Sequence, residues 1–155
     1  MNSSTNKILV VGLGNRLRGD DGLGVKVVEK LKQKEWGNEV SILNIGSSPI
    51  NYLQEISHSK KLIAVDAIQG EKTAGSIYQL TLEEIKQQPH QTTNAHSYSL
   101  PQVIALAKET TDLPQEVTLF GLEPSNLQFA DQLSSPIKKK LPQLIKKIKT
   151  TIKNY

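Results

Sequence analysis

KILVVGLGNRLRGDDGLG, Lys7 to Gly24, decides how the rest of the chain is read. Its first six residues, Lys7 to Gly12, are a short β-branched apolar run ending in glycine, the pattern of a strand buried on both faces in a parallel sheet. A turn rich in glycine and aspartate follows. Leu23 to Lys34 then sets Val27, Val28 and Leu31 on one helical face, with lysines and Glu29 outside. Strand, glycine turn and helix open a βαβ unit.

The rhythm continues outward from there. Val40 to Ile45 (VSILNI) reads as a second strand, and Ser48-Pro49 offers a helix start before Ile50, Leu53 and Ile56. Leu62 to Ala67 (LIAVDA) is a third buried strand with an aspartate at its C-terminal end, and Gly75 to Leu80 (GSIYQL) is a fourth, placed at an edge. A short helical turn around Leu82 to Ile85 leads into an exposed polar loop. Leu100 to Thr110 is a helix that tolerates Pro101 in its first turn, and Val117 to Leu122 (VTLFGL) is expected to close the sheet. Strands alternating with helices predict an α/β protein with a mostly parallel sheet, helices on both faces and right-handed crossovers. In such sheets ligands collect beyond the carboxyl ends of the strands.

A chain of 155 residues suits one domain spanning 1–155, and 37% hydrophobic with 22% charged residues is an ordinary globular balance rather than a disordered one. With no cysteine, disulfides, thiolate metal sites and a cysteine nucleophile are excluded, so any metal must take nitrogen and oxygen ligands. The N-terminus lacks a signal-like apolar core, and no apolar run approaches the roughly 18 residues of a membrane span, so a cytoplasmic protein without a membrane partner is expected. The net charge of +4 is concentrated in lysines between Lys138 and Lys153. There Ile137, Leu141, Leu144, Ile145, Ile148 and Ile152 recur at spacings of three and four, which makes the lysines the solvated face of a helix and gives no reason to expect nucleic acid.

Three strand-to-helix connections carry polar groups toward the expected ligand-binding edge. In the first, Gly12 to Gly24, a dinucleotide fingerprint fails because Leu17 stands in the third glycine's place and Asp20 and Asp21 would repel a pyrophosphate at the helix start. No Gly-Lys-Ser or Gly-Lys-Thr triplet completes a phosphate loop either. One aspartate of the pair suffices to cap the helix, which frees the other, Asp21, as a ligand. In the second, Asp66 ends an apolar strand, where an ionised carboxylate needs a cation or several donors. The third is the polar loop through His96, ahead of the helix near Ser99. His58 and His90 read as surface residues. Two carboxylates and an imidazole from three connections would form an open oxygen and nitrogen site for a borderline divalent metal such as nickel or zinc.

GLGNRLRGDDGLG after a strand resembles the N-terminal signature of the nickel-iron hydrogenase maturation endopeptidases. The resemblance extends through Ile42 to Leu53 with its Gly46-Ser47 turn, Leu62 to Ile68 (LIAVDAI), Asn94-Ala95-His96-Ser97, and Val117 to Pro124 (VTLFGLEP), nearly the whole chain. It implies a three-layer α/β/α fold around a twisted five-stranded sheet. It also implies removal of a C-terminal extension from the precursor of the hydrogenase large subunit once nickel is inserted. The family's metal-contacting acid, aspartate and histidine fall on Asp21, Asp66 and His96, which would be both ligands and catalytic residues, with the nickel supplied by the precursor. Asn15, Arg16 and Arg18, in the same loop as Asp21, are candidates for contact with that precursor. The segment after His96, Ser-Tyr-Ser-Leu, departs from the glycine or leucine of many members. Competing readings are a peptidase of this fold acting on another precursor, a nickel-binding chaperone that does not cut, and a nucleotide-binding module.

Overall fold

The computed structural model describes residues 7–87, 100–110 and 113–154. In chain order the elements are β1 (Ile8–Leu13), α1 (Leu23–Leu31), β2 (Val40–Gly46), α2 (Leu53–His58), β3 (Lys61–Ala67), β4 (Ile77–Thr81), α3 (Leu82–Gln87), α4 (Leu100–Thr110), β5 (Glu116–Leu122) and α5 (Ser135–Lys153). The five strands form one sheet in the order β2-β1-β3-β5-β4, with every neighbouring pair parallel except β4 against β5.

Alternation along the central strands divides the core into two layers. Ile8 and Val10 of β1, with Phe120 and Leu122 of β5, join Leu23, Val27 and Leu31 of α1 and Ile137, Leu141, Leu144, Ile148 and Ile152 of α5. Leu9, Val11 and Leu13, with Val117 and Leu119, join Ile56 of α2, Ile85 of α3 and Leu100, Val103 and Ile104 of α4 on the opposite face. Burial on both faces is why β1 and β3 are continuous apolar runs. The α5 stripe and its exposed lysines follow the expected helical period, and among the described residues no helix is long and apolar enough to cross a membrane.

Two expectations need correction. Val117 to Leu122 does not close the sheet, because β5 lies between β3 and β4. Val117, Leu119, Phe120 and Leu122 of β5 are buried in the two core layers, whereas β4 alternates buried Tyr78 and Leu80 with exposed Gln79 and Thr81, a pattern that suits the edge. The first helix stops at Leu31 rather than Lys34. The indole N–H of Trp36 donates to the Leu31 carbonyl at 2.8 Å, satisfying one of the acceptors that a helix end leaves open.

The strand order makes the carboxyl ends of β1 and β3 the point where the chain's connections diverge. From β1 the chain runs through α1 to β2 on one side, and from β2 it returns through α2 to β3 on the other. The two helices belong to opposite layers, so a crevice opens between the loops that leave β1 and β3.

Candidate active site

Both sequence-selected aspartates reach that crevice. Asp66 is the penultimate residue of β3, and Asp21 lies in a short 3-10 turn, Gly19–Gly22, between β1 and α1. Close backbone approach brings the two loops together. A methyl group at Gly24 would collide with the carbonyl oxygens of Leu13 and Val65, and one at Gly12 would strike the carbonyl of Gly24. These glycines let the start of α1 press onto β1 and β3. Gly14, at φ 110°, turns the chain back so tightly that a side chain would meet the Asp21 carbonyl, and its N–H donates to Gly46 at the end of β2 at 2.9 Å.

The neighbouring aspartates of this loop have opposite fates. Asp20 is 1% exposed, and its carboxylate accepts from the Ser125 and Asn126 amides at 2.8 and 2.9 Å and from the Ser134 amide and hydroxyl at 2.7 Å each. It therefore ties the loop before α1 to the loop after β5. Neither aspartate caps the helix through its side chain, contrary to the expected division of roles. Asp21 carries one described hydrogen bond to its carboxylate, from the Asn15 amide at 2.9 Å, and is left to face the crevice edge.

Asp66 accepts from the Ala67 amide at 2.8 Å and has no other side-chain hydrogen bond among the described residues. Burial, and after it the charge of Asp21, pushes its carboxyl up to about 8, against the opposing effect of the Ala67 N–H. At neutral pH, the metal-free pair therefore holds a proton on Asp66. The backbone beside it is also crowded, since a side chain at Gly121, its register partner on β5, would meet the Asp66 carbonyl.

His96 lies outside the described residues, as does His90; His58 is exposed at the end of α2. Among the described residues no three histidine, aspartate or glutamate side chains gather as a metal site. Asn15, Arg16 and Arg18 line the loop around Asp21. The Asn15 side-chain oxygen accepts from the Leu17 amide at 2.9 Å, the Arg16 guanidinium pairs with Glu29 of α1, and Arg18 forms a parallel backbone bridge with Ala130.

One acid missed by the chemical reading of the sequence stands nearby. Glu123, 6% exposed and directly after β5, has an oxygen that accepts from the Tyr78 hydroxyl at 2.6 Å and from the Gly70 and Lys72 amides at 2.9 Å each. Burial opposes its charge, but these donors and the Lys72 ammonium prevail and hold its carboxyl below the ordinary range. Burial, then the Glu123 hydrogen bond and charge, push the Tyr78 hydroxyl up to about 12. Glu123 thus pins the segment that follows Asp66. The signal was an acid ending an apolar strand, the same pattern that singled out Asp66.

The model of the hydrogenase maturation proteases matches residues 25–151. That match begins after the glycine-aspartate turn, so it is independent of the motif that first suggested the family. The chain is 32% identical over 124 residues to the hydrogenase 2 maturation protease of Escherichia coli, covering 79% of this chain and 76% of that protein. Its fold superposes on the E. coli hydrogenase maturating endopeptidase HybD with a TM-score of 0.88 at 26% identity, over 96% of this chain and 93% of the other. The [NiFe] hydrogenase maturation protease HycI of Thermococcus kodakarensis gives 0.78 at 28% identity, again over 96% and 93%. With a mostly parallel five-stranded α/β/α architecture shared across nearly their whole lengths, the chain belongs to the hydrogenase maturation protease family and is an endopeptidase.

Proposed function

We propose that this endopeptidase removes the C-terminal extension of a nickel-iron hydrogenase large-subunit precursor after nickel insertion. In this reading Asp21, Asp66 and His96 recognise the nickel that the precursor carries. The observation that supports it is the pair Asp21 and Asp66 at the divergence of β1 and β3. One carboxylate is anchored by a backbone amide, and the other is so disfavoured as an anion that it keeps a proton to about pH 8. A cation between them would offset both the burial of Asp66 and its repulsion by Asp21. Oxygen donors joined by the imidazole of His96 make a set suited to a borderline divalent ion.

The roles of the chain's own groups follow from their surroundings. Asp21, oriented by the Asn15 amide, serves as an oxygen ligand. Asp66 has one oxygen on the Ala67 amide and the other available toward the ion or an attacking water. The bound nickel would act as a Lewis acid on the adjacent peptide carbonyl or on water, and a carboxylate would accept the water's proton. Asn15, Arg16 and Arg18 frame the mouth of the site where the precursor would enter.

The test is mass spectrometry of a purified, nickel-loaded large-subunit precursor after incubation with this protein, with metal-free precursor as control. Loss of a short C-terminal peptide is expected only from the loaded precursor, and not with Asp21→Asn or His96→Ala. Cleavage of the metal-free precursor at the same rate, or normal cleavage by both variants, would overturn the reading.

A further inference from the structure

Two large apolar side chains are exposed among the described residues, Phe129 at 86% and Leu17 at 47%. Single exposed apolar residues are ordinary. These two come from loops far apart in sequence, and the backbone sets them in one register. Arg18 and Ala130 form a parallel bridge, in which the Ala130 amide donates to the Leu17 carbonyl at 2.9 Å and the Gly19 amide donates to the Ala130 carbonyl at 2.8 Å. Leu17 and Phe129 are the residues immediately before each bridge partner, so the bridge carries the two exposed side chains on directly neighbouring backbone.

The support beneath them is rigid. Asp20 holds the 125–134 loop through four hydrogen bonds, its own N–H donates to the Asn126 carbonyl at 2.8 Å, and the Asn126 side chain accepts from the Gln128 amide at 3.0 Å. Phe129 is therefore presented on a braced loop rather than on a free tip. The bracing is continuous with the site: the Leu17 amide bonds the Asn15 side chain, and the Asn15 amide bonds the Asp21 carboxylate.

We propose that Leu17 and Phe129 form a docking platform for an apolar side chain of the precursor polypeptide, within a few residues of the bond to be cut. The occupant follows from the chemistry and the area. An endopeptidase must hold an extended chain beside its reacting groups, and a rigid aromatic next to an aliphatic side chain is the kind of anchor that concentrates binding energy. An aromatic side chain covers about 150–250 Å², too little for a stable dimer, which needs on the order of 1,000 Å², and enough for one side chain of a peptide. The proposal rests on the precursor reading above.

The test separates binding from cutting. In an Asp21→Asn background, which leaves the precursor intact, affinity for nickel-loaded large-subunit precursor is measured by calorimetry. Adding Phe129→Ala, or Leu17→Ala with it, is expected to weaken binding about tenfold or more, and Phe129→Leu to restore most of the loss. In the cutting-competent protein the loss falls on KM rather than kcat. Thermal midpoints should not move, since Phe129 is almost wholly in solvent. Unchanged affinity in the folded double variant would overturn the platform, as would a concentration-dependent dimer that Phe129→Ala abolishes. If Phe129-dependent binding persists while the unmodified protein cuts nothing, the cleavage reading fails and the docking surface stands. Normal cleavage with unaltered KM in the double variant removes the docking surface alone.

Discussion

Asp20 and Asp21 are adjacent, identical in chemistry and opposite in consequence, and replacing each with asparagine separates them. The Asp20 carboxylate receives four hydrogen bonds in a site that is 1% exposed. An asparagine can turn its one oxygen to the Ser125 and Asn126 amides and the Ser134 hydroxyl, but its NH2 group then faces the Ser134 amide, which is left without an acceptor. At about 1–3 kcal/mol per buried orphan donor, Asp20→Asn should cost roughly 1–3 kcal/mol. For a chain of this size each kcal/mol lowers the melting temperature by about 2–4 °C, so a fall on the order of 5 °C is expected. Asp21→Asn can keep its bond from the Asn15 amide and removes the charge that repels Asp66. Its metal-free stability should be unchanged or higher, while precursor cleavage is lost. Urea denaturation followed by circular dichroism measures the first quantity, and the cleavage assay the second. An Asp20→Asn cost below about 1 kcal/mol, or an equal loss from Asp21→Asn, would refute the assignment of structural and chemical roles.

Three further perturbations are informative. Because the folded protein holds a proton on Asp66 up to about 8, against 3.8 for the free group, the ionised form is the penalised one, and metal-free stability should fall as pH rises through that window. Asp66→Asn should therefore melt higher than the unmodified protein near pH 8, with the gap closing toward pH 4; a gap independent of pH would contradict this. Tyr78→Phe deletes the 2.6 Å bond to the Glu123 carboxylate and should cost about 1.5–3 kcal/mol by urea denaturation, and a neutral result would mean that the Gly70 and Lys72 amides hold Glu123 by themselves. Gly24→Ala drives a methyl group into the Leu13 and Val65 carbonyls, so it should cost at least about 1–3 kcal/mol and reduce cleavage by shifting the start of α1; full activity would show that the glycine contact does not position Asp21.

Much of the architecture was legible because burial on two faces leaves a local record. β1 and β3 are continuous apolar runs, α5 has its stripe of isoleucine and leucine, and their periods are set by backbone geometry that every strand and helix shares. The order of the strands was not written locally. The inward position of β5 depends on which neighbours cover its two faces, and the early stop of α1 depends on Trp36 folding back to the Leu31 carbonyl. At the site, an aspartate ending an apolar strand and a paired aspartate in a glycine turn were conspicuous because each is costly without a partner.

What the sequence determined alone is the inventory: an α/β chain without thiols, a glycine turn that permits close backbone contact, and two candidate acids, Asp21 in that turn and Asp66 at the end of a strand. Which of two adjacent aspartates is structural, that Glu123 clamps the segment after Asp66, and that Leu17 and Phe129 share one register were decided by tertiary structure. Each of these joins residues tens of positions or more apart in the chain. Hydrogen bonds and burial across such separations depend on the packed arrangement of the sheet and its loops, and no local period or propensity encodes them.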